Sequence, residues 1–212
     1  EMIRFDWMQD MLEWFDYYLK GIGPQPGQWI EIQSNQGSWR LETRYPPSDA
    51  VEVTYDLGGA LTLVAGSTTV LPDASSGPVY ETEPLVEPLY IAGMPRLHVD
   101  VTTATVGGQL YALLEDCDEQ NNCIHLGHAI MDLRYHAGGD TVQTWTPVAQ
   151  TINAKMEFFA MDAEVEAGRI LRLSLSSTGE DYLPASTSSI VFIQEGEGST
   201  LQLDSFNPDD RR

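Results

Sequence analysis

Residues 83–103, EPLVEPLYIAGMPRLHVDVTT, decide the fold. From Arg96 onward the stretch alternates, with Leu97, Val99 and Val101 on one side and Arg96, His98, Asp100 and Thr102 on the other. That period of two is the mark of a half-buried strand, one face in the core and one in water. Gly93-Met94-Pro95 is turn chemistry, and it separates this strand from an earlier extended run, Leu85 to Ile91. Two short strands joined by a turn, with no reactive constellation between them, point to a β-sandwich.

Working outward, the same pattern recurs on both sides. Alternating or apolar runs predict strands at Trp29–Gln33, Trp39–Tyr45, Leu61–Ala65, Gln109–Glu115, Ile124–Tyr135, Thr141–Ala149, Lys155–Glu166, Ile170–Ser176, Ser189–Gln194 and Ser199–Leu203. Gly, Pro, Asp and Ser fill the intervals, and Pro46–Asp56 and Ser67–Pro78 read as loops or long crossovers. Many short strands at even spacing predict an all-β domain, a jelly-roll sandwich over residues 23–212. With 212 residues the chain can bury a substantial core without help from cross-links.

Ahead of the sandwich lies one helical pattern, IRFDWMQDMLEWFDYYL at residues 3–19. Ile3, Trp7, Met11, Trp14 and Tyr18 form one stripe, and Met8, Leu12, Phe15 and Leu19 form a second beside it. Gly21 reads as the C-terminal cap, and Pro24 and Pro26 prevent resumption, so residues 1–22 form a unit of their own. An apolar face this wide calls for cover on more than one side. Either it packs on its own sandwich, or it belongs to a neighbouring unit.

Charge excludes several partners. The chain carries 32 acidic and 11 basic residues, a net of −21, and such a surface repels nucleic-acid phosphates and anionic lipid. It suits a saline or extracytoplasmic setting, although composition alone does not assign a compartment. No run of 18 apolar residues exists to span a membrane, and the first residues do not read as a signal peptide.

Cys117 and Cys123 flank the loop Asp118–Asn122. If the runs on either side pair as a hairpin, the two thiols fall opposite each other within bridging distance, so a disulfide is expected, with two free thiols as the alternative. Asp116, Asp118, Gln120 and Asn122 resemble the start of a calcium loop, but Asn121 and Gly127 stand where glycine and glutamate are needed. His125 and His128 are three apart on a predicted strand; their side chains should leave opposite faces and share no metal unless a bulge intervenes. His98 and His136 read as solvent-face strand residues. Asp162, Glu164 and Glu166 alternate with Met161, Ala163 and Val165 and read as a solvated strand surface. Trp39 and Trp145 are candidates for a sugar-stacking platform, with core packing as the alternative. No metal site and no cofactor are expected. The chain holds no Gly-x-Ser-x-Gly elbow, P-loop, dinucleotide fingerprint or His-Glu-x-x-His, so no catalytic residue is assigned.

Four stretches in order resemble one family. LEWFDYYLKG (Leu12–Gly21), GSWRLETRYPP (Gly37–Pro47), Tyr80–Val101 and AGRILRLSLSSTGEDYLP (Ala167–Pro184) are similar to the C-terminal domain of the X-Pro dipeptidyl-peptidase and cocaine-esterase group of serine hydrolases. Gly168-Arg169 departs from that pattern in lacking the family's intervening histidine. The resemblance implies a galactose-binding-domain-like jelly roll and an accessory role, with the serine triad lying before the opening helix. It further implies that Trp7, Met11, Trp14, Phe15 and Tyr18 face a catalytic α/β-hydrolase domain. Leu61, Thr62 and Leu63 would then stand at the substrate-pocket rim. Alternatives are a free-standing jelly roll that binds carbohydrate or protein, and a homo-oligomer formed through the helix.

Overall fold

A computed structural model describes residues 7–27, 29–58, 62–65, 70–71, 76–179, 182–183 and 190–207. A helix, α1 (Trp7–Phe15), continues as a wider turn over Asp16–Lys20 and precedes fifteen strands among the described residues. These are β1 (Ile30–Gln33), β2 (Trp39–Glu42), β3 (Val51–Asp56), β4 (Thr62–Ala65), β5 (Val70–Leu71), β6 (Ser76–Glu81), β7 (Leu89–Gly93) and β8 (Arg96–Thr103). After them come β9 (Gln109–Cys117), β10 (Cys123–Asp132), β11 (Ile152–Glu157), β12 (Met161–Val165), β13 (Ile170–Ser176), β14 (Val191–Gln194) and β15 (Thr200–Ser205).

Two antiparallel sheets form an all-β sandwich. The smaller runs β10-β9-β13-β6-β4; the larger runs β12-β7-β15-β8-β14-β5, with β11 added on β8 and β3 on β15. Strand β8 is the hub of the larger sheet. Along one edge it pairs with β11 over residues 96–101, setting Leu97 opposite Met156, Val99 opposite Ala154 and Val101 opposite Ile152. Its other edge is divided, β15 taking residues 96–98 and β14 taking residues 100–103. The alternation of β8 therefore dictates which face of four strands turns inward, because directly opposed residues share a face.

The core lies between the sheets. Leu97, Val99 and Val101 from one and Leu110, Ala112, Leu114, Leu171, Leu173 and Leu175 from the other belong to one buried cluster. Burying each leucine contributes about 1.5–3 kcal/mol before entropy is set against it. Trp145 closes one part of the cluster, and its indole Nε1 donates to Thr103 Oγ1 at 2.8 Å, so its polar atom is satisfied inside.

Several boundaries differ from the sequence reading. Residues 141–149 form no strand; the segment lies over the core edge and delivers Trp145 to it. The run 155–166 is two strands, interrupted where Phe158 turns into the core and Phe159 out to solvent. Residues 51–56, read as loop, are the edge strand β3, and the extended run begins at Leu89 rather than Leu85. Ser76–Pro78 belongs to β6 and Val70–Leu71 to β5, within a segment read as loop. The strands on either side of Gly93-Met94-Pro95 do not pair with each other: they run in the same direction, one after the other, along one edge of β15, β8 opposite residues 200–202 and β7 opposite Ser205, while β3 takes the other edge.

Candidate functional site

Helix α1 carries no buried residue. Trp7 is 51 % exposed, Leu12 56 % and Leu19 73 %, and Met8, Met11, Trp14, Phe15 and Tyr18 are exposed as well. The sequence nonetheless builds the helix carefully. Lys20 pairs with Asp16 at 2.6 Å, Gly21 adopts φ 69° as a left-handed cap, and its N–H donates to Tyr17 O at 3.0 Å. Trp14 packs on Phe15 and Tyr18 with ring centroids at 5.3 and 4.8 Å, which orders the aromatics into one surface. Beside it, Trp14, Pro24, Pro26 and Trp29 line an open cavity of about 470 Å³ together with the carboxylates of Asp10 and Glu31. A contiguous apolar surface of this kind marks a contact site.

The expected rim residues fall at a sheet edge. Thr62 and Leu63 lie on β4, opposite Glu81 and Tyr80 of β6, and Leu61 lies outside the described residues. A neighbouring cavity of about 330 Å³ is formed by Asp56, Leu57, Gly58, Glu195, Gly196 and Glu197. There the Tyr80 hydroxyl donates to Glu195 Oε1 at 3.2 Å, and burial together with the glutamate charge raises the Tyr80 pKa.

Cys117 and Cys123 form a disulfide, with their Cα atoms 4.0 Å apart at the mouth of the β9–β10 hairpin. The loop they close is tied by Asp118, whose carboxylate accepts from Gln120 N, Asn122 N and Asn122 Nδ2 at 2.8–2.9 Å. Those bonds hold the Asp118 pKa below the usual carboxylate range. Its lone pairs are thus engaged by the loop itself.

Trp39 and Trp145 are not brought to a common platform. Trp145 is 7 % exposed and fills the core, whereas Trp39 is 46 % exposed on the β1–β2 hairpin. Around Trp39 the structure assembles a cluster with no local sequence signal. Asp162, read as solvated, has a side chain only 5 % exposed and accepts from both terminal guanidinium nitrogens of Arg40, Nη1 at 2.5 Å. Arg40 lies 4.5 Å from the centre of the Phe206 ring, and Trp39, Tyr90 and Phe206 line a cavity of about 290 Å³. The hairpin is held there by Asn35, whose N–H donates to Asp162 O at 3.0 Å and whose amide exchanges bonds with Glu164 N and O. Asn35 thereby covers the edge of β12, which is why Asp162 is dry. Tyr45, donating to Met161 O, has its pKa pushed up to about 12 by burial and by the Asp162 charge.

The histidines also depart from expectation. His136 caps the short turn Leu133–Tyr135 and stands edge-on to Trp145 at 5.4 Å. His98 lies on β8 as expected, and burial, Lys155 and Arg96 lower its pKa. His125 and His128 share a face, with Nε2 of the first 3.3 Å from Nδ1 of the second. On β9, the neighbouring strand of the same sheet, Asp116 is reached by Arg169 at 2.5 Å, and the aspartate side chain is completely buried.

The model of the X-Pro dipeptidyl-peptidase C-terminal non-catalytic domain matches residues 23–191. The chain belongs to that family. No curated protein sequence matches it. Among solved structures, a CocE/NonD family hydrolase from Staphylococcus aureus superposes with a TM-score of 0.71 at 11 % identity, covering 96 % of this chain and 46 % of that one. An aminopeptidase from a marine sediment Thaumarchaeota archaeon gives 0.65 at 14 % identity, with 93 % and 43 % covered. An alpha-amino acid ester hydrolase gives 0.62 at 15 %, with 95 % and 45 % covered. The family chain thus spans a little under half the length of these solved proteins, and the likeness establishes their shared fold. No helix among the described residues is long and apolar enough to cross a membrane.

Proposed function

We propose that this chain is the accessory C-terminal domain of a serine hydrolase of the X-Pro dipeptidyl-peptidase or acyl-esterase type. The sandwich packs on the catalytic α/β-hydrolase domain, and residues 1–22 belong structurally to that domain. The observation that carries this reading is the helix without a buried residue: a built, capped, aromatic-rich helix that its own sandwich does not cover. Trp7, Met11, Trp14, Phe15 and Tyr18 are the contacts, and Leu61, Thr62 and Leu63 stand at the rim of the substrate pocket.

The parent reaction is acyl transfer from a peptide, amide or ester to water through a serine nucleophile supplied by the catalytic domain. This chain contributes no reacting group. Its part is to exclude water and to position the acyl portion, which acts on kcat through binding energy remote from the reacting atoms. The coding sequence upstream of Glu1 tests the reading, with a Gly-x-Ser-x-Gly elbow and a later histidine just before the helix as the expected result. A stop or an unrelated domain there overturns it. In the whole hydrolase, Trp14→Asp should lower the melting temperature and kcat together.

A second reading, a free-standing binding module, draws on Trp39, exposed beside its cavity of about 290 Å³. It requires that oligosaccharide titrations shift the tryptophan fluorescence of the chain and that Trp39→Ala abolish the shift.

A further inference from the structure

Strand β10 carries a one-residue irregularity that brings two imidazoles together. His125 stands opposite Glu115 of β9 and His128 opposite Leu113, while Gly127 takes the place opposite Leu114, leaving Leu126 as the extra residue. One inserted residue resets the alternation of side chains, so histidines three apart in sequence come to the same outer face. Gly127 permits this arrangement. A Cβ at that position would meet Met161 Cε at 2.4 Å, so a larger residue there would have to push the end of the methionine side chain aside.

The His128 ring is held on three sides. Its Nε2 lies 2.9 Å from the Tyr182 hydroxyl, Tyr111 stacks on it at 5.7 Å, and the exposed Phe159 meets it edge-on at 5.3 Å. Tyr182 is itself anchored, its N–H donating to Gly179 O and its carbonyl accepting from Thr178 Oγ1, both at 3.1 Å. With Nε2 turned to Tyr182, Nδ1 is the nitrogen that faces His125 Nε2 across 3.3 Å.

That separation matches a chelate bite. For zinc–nitrogen bonds of about 2.0–2.1 Å at the tetrahedral angle, two ligand nitrogens lie about 3.4 Å apart. When His128 Nε2–H donates to the Tyr182 oxygen, Nδ1 carries the lone pair that a metal requires, and the phenol serves as the outer partner that fixes ring and tautomer. Imidazole nitrogens favour zinc, copper and nickel over calcium and magnesium, and a chain of net charge −21 concentrates cations at its surface.

We propose that His125 Nε2 and His128 Nδ1 form a two-point site for a divalent cation of the zinc class, with water completing its coordination. The site lies on the outer face of β9 and β10 and owes nothing to the opening helix, so it stands independently of the hydrolase reading. A bound cation would tie the bulge of β10 to the segment after β13 through His128 and Tyr182.

Calorimetric titration of the whole chain with zinc chloride, in a non-coordinating buffer at neutral pH, tests the site. One zinc per chain is expected. His125→Gln and His128→Gln should each weaken binding tenfold or more, and Tyr182→Phe about tenfold, in line with the loss of an outer-shell partner. His98→Gln, on the other sheet, should leave the isotherm unchanged. His125 is exposed, so His125→Gln should melt, without metal, where the native chain does. Absence of heat in the native chain, or the same isotherm in His125→Gln and His128→Gln, overturns the proposal.

Discussion

Strand β8 and helix α1 carry equally clear apolar periodicity and meet opposite fates. In β8, Leu97, Val99 and Val101 are completely buried, each opposed by an apolar residue of β11. In α1 the two apolar stripes end exposed, with no residue buried. Periodicity thus states that a face is to be covered and is silent about what covers it. For β8 the cover is encoded within the same chain; for α1, on the reading proposed above, it is a separate folding unit.

The difference can be attacked by mutation. The largest effect should come from the sandwich's buried ion pair: Arg169→Ala leaves the Asp116 carboxylate, 0 % exposed, without its partner, at a cost of about 3–5 kcal/mol by urea denaturation. Leu97→Ala should follow at about 2–5 kcal/mol, the transfer and cavity terms of a closed core position. Alkaline pH comes next. The folded Tyr45 pKa, about 12 against 10.0 when unperturbed, means that the folded state prefers the neutral phenol. Stability from this source is complete below pH 10 and is lost as pH rises toward 12. A melting temperature flat from pH 7 to 9.5 and falling above 10, less steeply in Tyr45→Phe, is the expected profile. The smallest effect belongs to Leu12→Ala, exposed on α1, which should change the isolated chain by no more than about 0.5 kcal/mol. A cost near that of Leu97→Ala would break the comparison, because it would mean the helix is covered in solution by a second copy; sedimentation of the isolated chain would then show a dimer.

What could be read in advance follows the range of the interactions. The alternation in β8, β9 and β13 was legible because one face of each packs against a continuous core, and the helix because its cap and stripes are local. Residues 51–56 escaped notice because an edge strand with Val51 66 % exposed has no buried face to advertise it. Residues 141–149 misled for the converse reason, since Trp145 reaches the core from irregular backbone. Asp162 looked wet because the hairpin that hides it is some 122 residues away along the chain. The histidine pair depended on a single inserted residue, which shifts the face of every side chain beyond it and leaves no trace in composition. The rim residues Leu61–Leu63 rest on the family resemblance, and no local pattern distinguishes them from other strand residues.

The place of β15 bears on how such a protein is made. Strands β7 and β8 follow each other across a two-residue link and lie one after the other along a single edge of β15. During synthesis they emerge together, and the edge they share is covered only when Thr200–Ser205 have left the ribosome. Vectorial folding therefore leaves this edge of β7 and β8 open until residues 200–205 emerge, and its closure joins sequence positions roughly a hundred residues apart.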